Sequence, residues 1–211
     1  MFLAWLLNAA ESHKLGEFPI KKLLDIILKF SNDKLKNEHP DLYNSFVTED
    51  YEIERVFVKP EFFIKNVGRL DIYLEAVMVI ADKKKNIKLI IENKVESKEN
   101  NDQTNNYYNY FNPIKKEDEV LIYVYLTPIS TLELIEISAP DCNCKEFIQI
   151  NYQSIVDYLI EPALNQNISN RTKNILTEYL QSLSQPSIDD EIEGHKQELI
   201  MALGNEERKL Y

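Results

Sequence analysis

The segment EVLIYVYLTP at 119–128 is apolar at almost every position. A strand with one face in water alternates; a short unbroken apolar run marks a strand buried on both faces. Such a strand needs helices above and below it, so the chain is expected to build an α/β layer structure. At 211 residues, 44% of them hydrophobic, it can form one domain with a sizeable core, or one domain plus a small helical appendage.

The rest of the chain supplies those layers. Residues 2–8 (FLAWLLN) and 18–31 (FPIKKLLDIILKFS) read as helices. In the second, Ile20, Leu23, Leu24, Ile27, Leu28 and Phe30 recur near helical spacing and Pro19 occupies a first turn. The polar stretch 32–50 is a connection with some helix. Three strand-like runs follow. Residues 51–58 point Ile53, Val56 and Val58 inward, and Pro60 ends that strand. Residues 69–81 and 87–95 form a hairpin across the charged turn DKKKN at 82–86. A tyrosine-rich helix, NNYYNYFNPI, leads to the buried strand at 119–128. A short strand at 147–152 and helices at 154–166 and 169–183 come next. The order predicts a mixed central sheet flanked by helices, with additional C-terminal helices. Residues 1–185 form the expected domain. Residues 186–211, with Asp189, Asp190, Glu191 and Glu193, read as an acidic linker and C-terminal helix that offers a docking element for a protein partner.

Several classes of protein drop out. Gly occurs 4 times and no GxGxxG or GxxxxGK[ST] loop is present, which argues against nucleotide-phosphate cradles. No apolar run can span a bilayer, and Met1–Leu7 lacks the flanks of a signal peptide, so a cytoplasmic protein without a membrane partner is expected. Cys142 and Cys144 have no second ligand pair for zinc and read as two reduced thiols in a loop. The formal net charge is -11, so any binding to nucleic acid needs a local positive groove rather than an overall basic surface. An oligomer stays open.

Two segments carry the chemistry: GRLDIYL at 68–74 and LIIENKVES at 89–97. Asp71 interrupts an apolar strand. Glu92 and Lys94 share a face of the next one, because side chains alternate with period two. A hairpin would bring Asp71 beside Glu92. Adjacent carboxylates repel unless a cation joins them, and a hard ion such as Mg2+ suits an oxygen donor set. Lys94 would then act on the water or as a point charge near the transition state. Solvated ion pairs on a strand face are the plain alternative. Gln103, Tyr107 and Tyr110 share a helix face, where Gln103 could reach the metal site or a phosphate. The tyrosines could stack on bases, or simply pack the helix on the sheet. His13 reads as a surface or capping residue.

The string G-R-L-D-I followed by I-I-E-N-K-V resembles the bipartite signature of the PD-(D/E)xK nuclease superfamily. The order αβββαβ is similar to its restriction-endonuclease-like core. FLAWLLNAAESHKLGEF at 2–18 and the Q-x3-YY-x-Y run at 103–110 resemble one bacterial branch of it. The resemblance covers about residues 1–128. It implies a metal-dependent endonuclease acting on nucleic acid, DNA first, in defence or repair. It implies Asp71 and Glu92 as ligands of Mg2+, with Mn2+ substituting, Lys94 as the catalytic lysine, and Gln103 as the Gln near the start of the following helix. It also implies a further Glu on the first helix, expected shortly before FLAWLL. Glu11 and Glu17 are weak substitutes, so a second reading stays open: an inactive nuclease-like domain that binds nucleic acid or a protein partner.

Overall fold

A computed structural model describes residues 2–31, 33–94, 102–127 and 142–184. The acidic segment from 186 onward lies outside these residues. Helix α1 (Phe2–Leu7) and helix α2 (Phe18–Phe30) open the chain, followed by the short helices α3 (Lys34–Glu38) and α4 (Pro40–Thr48). Both α2 and α4 begin with Pro in their first turn, where the missing N–H costs nothing. In α2 the buried stripe is Ile20, Leu23, Leu24, Ile26 and Ile27, while Leu28 and Phe30 are only half-buried. The helix therefore seats Ile26 where the spacing argument placed Leu28.

Three antiparallel strands come next: β1 (Glu52–Ile64), β2 (Gly68–Ile80) and β3 (Lys83–Asn93). Pro60 does not end β1. It lies mid-strand opposite Ile72, which the sheet tolerates because β1 is an edge strand and one side of its backbone needs no partner. A bulge between Ile53 and Arg55 shifts the register, so Ile53 is buried while Val56 and Val58 are half-buried. The β2–β3 turn is shorter than the charged run suggested. Ala81 and Asp82 carry it alone, with φ of 48° and 60°, and Lys83 to Asn86 already belong to β3.

Helix α5 (Gln103–Phe111) and a 3-10 turn (Asn112–Ile114) cross over to β4 (Glu119–Thr127), which pairs parallel to β3. β5 (Phe147–Asn151) pairs parallel to β4, completing the order β1-β2-β3-β4-β5. In β4 every residue but Leu121 is buried, as an interior strand between two helical layers requires. Tyr107 and Phe111 of α5 pack in one cluster with Tyr73, Ile90, Tyr123, Tyr125 and Phe147. The other sheet face, including Leu74, Leu89, Ile91 and Val124, is left to α1, α2 and α4, which touch β1, β5 and β2.

The chain continues as α6 (Tyr152–Ile155), a π-helical turn (Val156–Ile160), α7 (Glu161–Leu164) and α8 (Asn170–Ser184). One helix expected at 154–166 is thus interrupted by a π turn just before Pro162, which has no N–H to continue the ladder. Contacts group Met1–Lys173 into one unit and Asn174–Tyr211 into another. Among the described residues, no helix is long and apolar enough to cross a membrane.

Candidate active site

The apolar neighbours Leu70, Ile72, Ile90 and Ile91 are almost fully buried, and they carry two acids into the sheet with them. The register pairs Ile72 with Ile91. Asp71 and Glu92 are the next residues beyond that last pair, and both lie close enough to Tyr107 for it to feel their charges. Glu92 is 1% exposed. Its Oε1 accepts from Lys94 Nζ at 2.7 Å, and the lysine is itself mostly buried. Lys94 also donates to Gln103 Oε1 at 2.8 Å. An ammonium group only donates, so this contact sets the Gln103 amide: oxygen toward Lys94, nitrogen toward Tyr107. Gln103 Nε2 donates to the Tyr107 hydroxyl at 2.7 Å. That hydroxyl donates in turn to the Arg69 carbonyl at 2.8 Å. Burial, then the nearby charges of Glu92 and Asp71, push the phenol well above its ordinary range.

Asp71 is held from a different side. Its Oδ2 accepts the Asn93 backbone N–H at 2.7 Å. Burial raises its pKa above the ordinary carboxylate value; the Asn93 bond, Lys94 and Arg69 oppose the rise without cancelling it. Asn93 turns its own side chain the other way, where Oδ1 accepts from the Tyr152 hydroxyl. The strand is irregular at this point. Leu70 and Tyr73 pack in one cluster with Tyr107, although strict alternation sends residues three apart to opposite faces. The ladder passes from Pro60–Ile72 to Phe62–Leu70 without pairing Glu61 with Asp71, and Glu61 has a φ of 49°. Gly68, at the start of β2, has a φ of 146°, and a Cβ there would lie 3.8 Å from the Tyr107 hydroxyl. A contact of 3.8 Å is ordinary, so the positive φ, not lack of space beside Tyr107, is what calls for glycine here.

Asp71, Glu92, Lys94 and Gln103, all singled out in the sequence, are brought together. Residues 1–181 match the PD-(D/E)XK nuclease superfamily. The chain belongs to that superfamily. The match runs well past residue 128, through β5 and most of α8. Among solved structures the chain is similar to the MspJI restriction endonuclease in complex with a 27-mer oligonucleotide, at 13% identity and a TM-score of 0.32. That likeness covers 84% of this chain and 39% of the other, so this chain spans well under half of that protein. No curated protein matches.

Tyr107, read from its spacing as either a base-stacking or a packing residue, packs in the core and is the hub of the network. Two residues of this superfamily member escaped the sequence reading. Asn93 contributes a backbone N–H, and Tyr152 reaches it from a distant helix, which no local pattern announces. Tyr108 is half-buried against Tyr123, and Tyr110 is 38% exposed against Phe111. Lys83, Lys84 and Lys85 do not line the site. They start β3 roughly 30 Å from its far end at about 3.3 Å per residue, and Lys84 pairs there with Glu54. Glu11 is exposed, and Glu17 pairs with Lys21 at the start of α2.

His13 is not a surface residue. Its ring is fully buried, edge-on to Trp5. Nδ1 accepts from the Leu15 N–H at 2.9 Å, which leaves Nε2 to donate to the Asn8 carbonyl at 3.0 Å. This is a neutral imidazole fastening the α1–α2 loop, and burial lowers its pKa. Cys142 and Cys144 are not joined in a disulfide; Cys144 is buried in the same core cluster as Tyr107 and Phe111.

Proposed function

We propose that this chain is a metal-dependent nuclease that hydrolyses phosphodiester bonds in DNA, with Asp71 and Glu92 holding Mg2+ or Mn2+. The observation that supports it is the charge balance at the end of β2 and β3. Two carboxylates and one lysine share a largely buried space, and burial rather than the neighbouring acid holds Asp71 above its ordinary range. Excess negative charge in a buried oxygen donor set is what a hard divalent cation relieves. Such an ion, when bound, supplies Lewis acidity and lowers the pKa of a coordinated water.

The chain's own residues do the rest. Lys94, fixed between Glu92 and Gln103, sets a positive charge where negative charge gathers on a phosphate under attack. Gln103 keeps the ammonium from swinging away. Tyr107 ties Gln103 to the Arg69 carbonyl, so that α5 and β2 hold one geometry. Asn93 orients the Asp71 carboxylate from the backbone. We assign this domain to residues 1–185, with a cytoplasmic role in defence or repair. The acidic segment beyond it is left for a protein partner.

One observation favours a second reading, an inactive domain that binds nucleic acid or protein. Among the described residues, no group of three His, Cys, Asp or Glu side chains is placed to hold a metal ion. Calorimetry of Mg2+ and Mn2+ on the full chain, with plasmid cleavage alongside, separates the two. The nuclease reading expects divalent binding at or below millimolar concentration and cleavage that stops on chelation. A chain that binds no divalent ion at millimolar concentration takes the second reading instead.

A further inference from the structure

The turn joining β1 to β2 lies next to the acids. Phe63 pairs with Arg69 across the two strands, and Arg69 precedes Asp71 by two residues, roughly 7 Å along β2. Phe63 is the most exposed large apolar side chain among the described residues, at 71%. It makes no ring contact among them, whereas its neighbour Phe62 stacks on Tyr73 at 4.8 Å between ring centroids. The Arg69 side chain is 64% exposed and meets Glu61 only at 3.6 Å, a loose surface pair. Lys65, also exposed, follows in the same turn.

An edge strand gains no stability from an exposed Phe. Alone it would be an ordinary surface residue; its setting is what points to a ligand. Directly opposite stands a guanidinium with spare donors, and Asp71 follows that arginine by two residues on β2. A chain of net charge -11 must gather its phosphate contacts locally. An aromatic ring beside an arginine, one short step from the acids, matches a single nucleotide: the ring for an unpaired base, the arginine for a phosphate. A protein partner would need a broader apolar surface, and Arg69, Glu61 and Lys65 break it up.

We propose that Phe63 and Arg69 form a subsite for an unpaired nucleotide next to the scissile phosphate. Phe63 stacks on the base, and Arg69 holds the flanking phosphate. The chain therefore prefers strand ends or unpaired stretches to continuous duplex. This rests on the nuclease reading and narrows its substrate class.

The test uses the full chain and fluorescein-labelled 15-mers, single-stranded and blunt duplex, in chelator, by fluorescence anisotropy at two salt concentrations. Phe63→Ala should weaken single-strand binding on the order of tenfold and leave duplex binding unchanged. Phe63→Tyr should restore it. Arg69→Ala should weaken binding and flatten its salt dependence. Melting curves of each variant should overlay that of the wild type, since both side chains are exposed. Equal single-strand binding by Phe63→Ala and wild type overturns the subsite, as does an equal loss on duplex or a loss that Tyr does not restore. If the wild type binds neither oligonucleotide and cleaves neither with Mn2+, the nuclease reading falls and takes this inference with it.

Discussion

Two largely buried lysine–carboxylate pairs lie along β3 and the residue that follows it. Lys88 meets Glu119 at 2.6 Å, with side-chain exposures of 18% and 3%. Lys94 meets Glu92 at 2.7 Å, with exposures of 12% and 1%. By distance and burial they are alike; their surroundings differ. Glu119 has its charge matched: Lys88 takes one oxygen, and the Lys116 backbone N–H donates to the other at 3.1 Å. Burial alone would raise its pKa, but these bonds and the charges of Lys88 and Lys116 bring it below the ordinary value. The Glu92 pair has a second acid beside it, and that acid, Asp71, is shifted upward. One pair is electrically closed and holds the β3–β4 edge together. The other carries surplus negative charge and a chain of polar groups running into α5. A buried ion pair is therefore no sign of a site until the charges around it are counted.

The comparison is broken most sharply at the two lysines. Lys94→Ala should lower plasmid cleavage on the order of a hundredfold or more while divalent binding by calorimetry persists or tightens, since a like charge has gone. Glu92→Ala should lose binding and cleavage together. If Lys94→Ala cleaves like the wild type, the two pairs are equivalent and both are structural.

Glu119→Ala should do the reverse. It leaves Lys88 without its carboxylate and should destabilise the fold on the order of 2 kcal/mol in denaturant melts. The folded fraction should keep its Mn2+ affinity. Loss of metal binding in the folded variant would couple the two pairs and undo the distinction.

A finer test is Tyr152→Phe. The ring stays and only the hydroxyl on Asn93 is lost. Because Asn93 orients Asp71, Mn2+ affinity should weaken about tenfold, with little change in melting temperature. Unchanged affinity would make Tyr152 a packing residue.

The smallest effect is in pH. Glu119 has a lowered pKa, so its contribution is present above the ordinary value of 4.5 and is lost as pH falls below it. Asp71 has a raised pKa, so folding of the metal-free protein disfavours its charged form relative to the unfolded chain. Its contribution declines as pH rises from the ordinary 3.8 through the raised value. In metal-free melts, Asp71→Asn should therefore equal or exceed the wild type at pH 7 and lose that advantage toward pH 4. Glu119→Gln should be weaker at pH 7 and converge on the wild type in acid. Parallel curves for both variants would mean that the two carboxylates have like surroundings.

How much of this was legible beforehand follows from the reach of each interaction. Alternation and apolar runs are local, so the strands, the hairpin, the doubly buried β4 and the shared face of Glu92 and Lys94 could be read from residues a few places apart. Asp71 was found the same way, as a charge inside an apolar run. Local pattern failed wherever a neighbour from elsewhere in the chain decided the outcome. Pro60 sits within a strand only because β1 is the sheet edge. His13 is neutral and buried because Trp5, Asn8 and Leu15 close around it. The alternation slips at Asp71, where Leu70 and Tyr73 both settle under Tyr107. The parallel crossover lays α5 over the ends of β2 and β3. That placement puts Gln103 on Lys94 and the Tyr107 hydroxyl on the Arg69 carbonyl. Tyr152 meets Asn93 across 59 residues of chain. The amino-acid order by itself determined which residues had to be buried together with their charges. Which partners those charges met was decided by packing, because a buried polar group bonds to whatever the assembled layers bring within about 3 Å, at any separation along the chain.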